Sequence, residues 1–132
     1  MADNVADAVE QDWEIELIPD ADRIFMRIHR QWLKPDGTVA PGAFKDQGDS
    51  MSTDWDKYRT AQEARTAARV PVDNAVISMN VGKVRTIPNT KVQHDPMPDN
   101  RAHTGVIGPK TSKERVLYGD IYKFEILVTD QI

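Results

Sequence analysis

The chain has no cysteine among its 132 residues. That excludes a disulfide scaffold, a thiolate zinc site, an iron–sulfur cluster and a cysteine nucleophile, and it fits a reducing, cytoplasmic setting. Long apolar runs are missing too. Nothing approaches the roughly 18 residues that span a bilayer. The opening MADNVADAVEQDWE has no apolar h-region, so it does not read as a secretory signal. Phosphate-loop glycines are absent in both the G-x-x-x-x-G-K-[ST] and the G-x-G-x-x-G form. Neither H-E-x-x-H nor a short H-x₃₋₅-H pair is present, so no metal and no cofactor are expected. Aromatics are only 7% and form no platform for stacked bases; Trp32 and Trp55 read as core or rim residues.

What is present is a soluble composition, 39% hydrophobic and 29% charged, at a length suited to one domain. The net charge of −4 hides a division. Residues 1–22 hold eight acids (Asp3, Asp7, Glu10, Asp12, Glu14, Glu16, Asp20, Asp22) and no Lys or Arg, which leaves the remaining body at +4. An acidic end of this kind is a solvated tail, an interaction segment or an intramolecular cover for basic residues. Residues 1–12 read as an acidic, flexible segment and 13–132 as a single α+β domain. Within the head, Trp13, Ile15 and Leu17 alternate with Glu14 and Glu16, the pattern of an edge strand.

Period-two patterning marks further strands. In 23–30, Ile24, Met26 and Ile28 face one way while Phe25, Arg27 and His29 face the other. A short extended piece follows at 50–55. In 74–81, Ala75, Ile77, Met79 and Val81 alternate with Val76, Ser78 and Asn80, which predicts one buried face. Gly82 marks a bulge or turn. Residues 91–94 and 121–128 complete the strands, and 95–108 reads as a long irregular segment. Thr60-Ala61-Gln62-Glu63 and Thr111-Ser112-Lys113-Glu114 have capping-box spacing, and the first predicted helix runs to Pro71. The fold expected is one twisted, mostly antiparallel sheet with one or two short helices.

The segment 93–105, QHDPMPDNRAHTG, concentrates polar chemistry: two of the three histidines, two aspartates, Asn100 and Arg101, stiffened by two prolines. Stiff polar loops on a scaffold are where ligand contacts collect. Arg27 and His29 share a strand face, and Arg101 and His103 stand two apart in the loop. If the two pairs meet, with Asn100 at the edge, they form a concave Arg/His cluster suited to a phosphate or carboxylate. The candidate ligand-binding residues are therefore Arg27, His29, Asn100, Arg101 and His103, with His29 and Arg101 expected within reach of one another. The hydroxyl-rich stretch 48–55 offers Ser50, Ser52 and Thr53. A serine nucleophile there would need an activating base, and no G-x-S-x-G elbow is present.

The runs DRIFMRIHRQWLKPDGTVAPGAFKD, MSTDWDKYRTAQEAR and VQHDPMPDNRAHTGVIG resemble a group of small uncharacterised bacterial proteins. The resemblance covers roughly residues 22–110; it implies one domain over that span and carries no activity. Arg27 on an early strand with Ser52-Thr53 on a later one is similar, more weakly, to the ADP-ribosyltransferases, which hold NAD with such residues. That family has a glutamate late in the chain, often in E-x-E, whereas the E-x-E here is Glu14–Glu16, and Glu114 and Glu125 stand alone. An Arg/His-rich variant, as in RNA 2′-phosphotransferases, would use Arg27, His29, Arg101 and His103, at a spacing this chain does not match.

The expected function is a small binding or adaptor module that acts through a protein partner. The alternative is a small enzyme or ligand-binding domain that holds a phosphate- or nucleotide-like anion with the Arg/His cluster. Scattered bases and an acidic whole argue against nucleic acid, which calls for a basic stripe.

Overall fold

The alternating residues 23–29 form strand β1 (Arg23–His29), with Ile24, Met26 and Ile28 buried and Arg27 and His29 exposed. In a computed structural model, which describes residues 13–128, five further strands join it. They are β2 (Met51–Trp55), β3 (Asn74–Asn80), β4 (Lys91–His94), β5 (His103–Ile107) and β6 (Tyr122–Ile126). The order is β4-β5-β2-β1-β3-β6, and every pairing is antiparallel. Three short helices accompany the sheet: α1 (Ala61–Thr66), α2 (Val81–Arg85) and α3 (Ser112–Gly119). The expected segment 1–12 lies outside the described residues.

One face of the sheet carries the core. Ile24, Met26 and Ile28 meet Met51 and Trp55 of β2, Ile77 and Met79 of β3, Val92 of β4 and Val106 of β5. Val81 and Val84 of α2, Tyr118 of α3 and the segment 39–44 cover them, with Phe44 stacked on Tyr118 at 5.4 Å between ring centroids. Each fully buried side chain of this size contributes roughly 1.5–3 kcal/mol. The other face is polar. Helix α1 packs there on β1, β3 and β6, burying Ala64 and Val76, neither of which joins the main core.

Both capping boxes form. The Glu63 amide donates to the Thr60 hydroxyl at 3.1 Å and the Thr60 amide donates to Glu63 at 2.8 Å. Both the amide and the hydroxyl of Thr111 bond Glu114.

The structure corrects the sequence reading at several places. Both faces of β3 are buried, because α1 and β6 enclose Val76 and Ser78; Ser78 is 0% exposed and bonds Arg23 Nε (2.8 Å) and Glu125 (2.6 Å). Val81 and Gly82 start α2 and form neither strand nor bulge, since the Asn80 side chain caps Lys83 N at 2.9 Å and turns the chain. Helix α1 stops at Thr66, short of Pro71. The irregular segment expected at 95–108 contains β5, whose Thr104 and Val106 are buried on either side of Gly105. Residues 13–17 form no strand. Ile15 is 66% and Leu17 95% exposed, and the Glu16 amide bonds a histidine ring in place of a ladder partner.

Candidate polar groove

Register decides which side chains meet on the polar face. Phe25 pairs with Asp54, and Asp54 pairs with His103, so β1, β2 and β5 present Phe25, Arg27, Ser52, Asp54 and His103 together. Strands β1 and β2 are joined only at Ile24↔Trp55 and Phe25↔Asp54. Beyond that point β1 continues along β3, whereas the Ser52 amide turns to the Gln47 side-chain oxygen at 2.9 Å. The strands part, and a groove opens where they do.

The groove consists of adjoining recesses. A cavity of about 280 Å³ is lined by Arg27, Ser52, Asp54, Arg59, Asn100 and His103, among others. A second of about 320 Å³ shares Arg27 and Ser52 with it and adds His29, Lys45 and Gln47. A third of about 510 Å³ shares Arg27 and His29 with the second and adds Arg69. Arg27 lines all three.

Fixed polar contacts shape the first cavity. Buried Asp54 accepts from Asn100 Nδ2 at 2.7 Å and from Arg59 Nη1 at 3.3 Å. The Asn100 side-chain oxygen accepts from the Ala102 amide at 3.0 Å, and the main chain closes a tight turn between Met97 and Asn100. The tip of the 95–102 loop is thereby tied to β2. His103 Nδ1 lies 3.0 Å from the Asp95 carbonyl and 3.4 Å from its carboxylate, and Nε2 lies 3.4 Å from Ser52 Oγ. Arg27 donates from Nη1 to the Ala64 carbonyl at 3.1 Å and meets no carboxylate among the described residues.

No family model matches the chain, and no curated protein or solved structure is matched to it either. The reading of the groove therefore rests on its own geometry. The residues behind the likeness to ADP-ribosyltransferases, Arg27, Ser52 and Thr53, do line one cavity, but the acids beside them are Asp54 and Asp99. Glu14 and Glu16 lie in another recess, Glu114 caps α3, and Glu125 bonds Ser78.

Of the five residues singled out in the sequence, Arg27, Asn100 and His103 come together, and His29 adjoins them through Arg27. His29 Nδ1 also accepts from the Gln31 amide at 3.1 Å. Arg101 does not join them, and the expected meeting with His29 is not made. Its guanidinium lies over Tyr58 at 4.0 Å and Trp13 at 4.7 Å from the ring centroids, with Glu16 at 3.8 Å. Alternation explains the separation: the Asn100 side chain turns toward β2 while that of Arg101 turns toward the strap 13–22. Sequence reasoning named the Ser52 hydroxyl without a base for it, and missed Asp54 and Arg59. The signal for Asp54 was its i, i+2 spacing from Ser52 in the extended piece 50–55.

The acidic strap is held by ion pairs and hydrogen bonds. Glu16 pairs with Lys57 at 2.8 Å and accepts from Tyr58 Oη at 2.5 Å, and Asp20 pairs with Arg85 at 2.6 Å. The hydrogen bonds from Lys57 and Tyr58 hold the Glu16 carboxyl below its ordinary value of 4.5, and the bond to Glu16 raises Lys57 above 10.5. Buried His94 receives the Glu16 amide on Nδ1 at 3.0 Å and holds the Arg101 carbonyl on Nε2 at 2.7 Å. Among the described residues no group of three or more His, Asp or Glu is arranged to hold a metal ion, and no helix is long and apolar enough to cross a membrane.

Proposed function

We propose that the protein is a small ligand-binding domain that holds a phosphate-like anion, free or on a nucleotide, in the groove between β1 and β2. Arg27 carries this reading. It stands where three recesses meet, and among the described residues its one hydrogen bond goes to a carbonyl and no carboxylate pairs with it. A guanidinium has five N–H donors in a planar fork, so one bond leaves most of them for a ligand oxyanion. Arg59, Lys45 and Arg69 along the same groove add positive charge against Asp54 and Asp99. A cytoplasmic site of action belongs to the proposal, since a cysteine-free chain suits a reducing compartment.

The test is a thermal-shift titration with inorganic phosphate and with nucleoside mono- and diphosphates. A ligand that binds only the folded state raises Tm by mass action. The expected result is a rise with at least one of these ligands that is lost in Arg27→Ala and reduced in Arg27→Lys, which keeps the charge and loses the fork. No rise, or a rise that Arg27→Ala keeps, overturns the reading.

A second reading, a module that acts through a protein partner, is favoured by the strap. Ile15 and Leu17 are exposed apolar residues beside the outer edge of β4, in a recess lined also by Lys91 and Gln93. Co-purification of one protein from the native host, lost in Ile15→Ser/Leu17→Ser, would support it. Capture indifferent to both changes would count against it.

A further inference from the structure

We infer that Ser52 is a nucleophile, activated by His103, that accepts the acyl group of an ester whose remaining part carries an anion. The inference rests on the anion-binding reading for its substrate class and on separate geometry for its chemistry.

Ser52 and His103 are brought together by register. Ser52 faces Gly105 and Asp54 faces His103, so the imidazole sits diagonally across from the serine on the same face. The Asp95 carbonyl, 3.0 Å from His103 Nδ1, can only accept, so Nδ1 carries the proton. Nε2 is then the basic nitrogen, and it is the one that faces Ser52 Oγ, at 3.4 Å. Catalytic hydrogen bonds are commonly long before substrate arrives and tighten with it. Both residues line the cavity that Arg27 lines. The missing element in the sequence was the base, which lies 51 residues away on β5.

The step balances with water as the co-reactant. Ser52 Oγ forms a bond to the acyl carbon as its proton passes to His103 Nε2, and the negative charge on the carbonyl oxygen falls in the cavity that Arg27 lines. The ester C–O bond breaks, and the leaving oxygen takes the proton from His103. Water then gives a proton to His103 and its oxygen to the acyl carbon. The Ser52 ester breaks, and the proton returns to Oγ.

A fluorophosphonate probe tests the pair directly. Ser52 Oγ displaces fluoride, the P–F bond breaks, an O–P bond forms, and the adduct is read by intact mass and located by peptide mapping. One adduct at Ser52 in the unaltered protein is expected, with the labelling rate about a hundredfold lower or less in His103→Gln, as for loss of a general base. His103→Asn, a smaller replacement, gives the same loss, and thermal melts confirm that both variants fold. No adduct, an adduct elsewhere, or undiminished labelling in folded His103 variants overturns the inference. Excess inorganic phosphate separates this from the anion reading. Labelling of Ser52 that phosphate does not slow upholds the Ser52–His103 pair and counts against Arg27 as the anion site. A phosphate-induced Tm rise that needs Arg27, in a protein that takes no label, does the reverse.

Discussion

The two faces of the sheet are built on opposite terms. On the core face, apolar side chains from five strands are sealed by α2, α3 and the 39–44 segment. On the polar face, short α1 covers only the part over β1, β3 and β6, and the rest lies open where β1 and β2 separate. Polar groups under or beside α1 satisfy one another, as in Arg23–Ser78–Glu125 and Arg59–Asp54–Asn100. Arg27 is flanked by those networks and belongs to neither. The difference teaches that this face is polar by two mechanisms: structural networks, whose loss costs stability, and a guanidinium with no ion pair among the described residues, whose loss should cost binding.

The largest effect should come from the core face. Ile77→Ala removes a fully buried side chain and should cost about 2–5 kcal/mol in denaturant unfolding, from lost transfer energy and the cavity left behind. Ser78→Ala, one residue along and facing the other way, should cost about 1–3 kcal/mol, because Arg23 and Glu125 lose a shared buried partner. A near-zero cost would break the comparison by showing that the polar network carries no stability. Arg27→Ala should sharpen it. It should change stability by no more than about 0.5 kcal/mol, as exposed substitutions do, while removing the phosphate-induced Tm rise. The smallest effect concerns the strap. Glu16 has a lowered pKa in the folded protein, so its stabilising contribution is present above about pH 4.5 and is lost as pH falls below that value. Lys57, raised by the same bond, contributes up to about pH 10.5, and that contribution is lost above it. Tm measured against pH should fall at both ends, and Glu16→Gln should flatten both limbs.

Much of the fold was legible because the signals were local. Alternation placed β1, β3 and β6, short extended pieces were read at β2 and β4, and the two capping boxes placed the starts of α1 and α3. The failures came where local and tertiary signals diverged. Ser78 looks solvent-facing by alternation and is buried by α1 and β6, and glycines at 105 and 108 disguised β5 as a loop. The site was half legible for the same reason. Arg27, Asn100 and His103 stood out by residue type. That Ser52 would face His103, and that Arg101 would turn away, depends on the β2–β5 register and on a strap from the opposite end of the chain.

His94 gives that strap a mechanical meaning. Its ring is 1% exposed and joins three stretches remote in sequence: the amide of residue 16, its own strand β4, and the carbonyl of residue 101. The imidazole works as a cross-tie, so releasing the strap removes one support of the loop that carries Asn100 to β2. The two segments should therefore open as one cooperative unit, and amide hydrogen exchange should report it. The Glu16 amide, protected by a ring nitrogen and not by a ladder, should exchange in step with the Asn100 and Ala102 amides, and His94→Ala should release all three together.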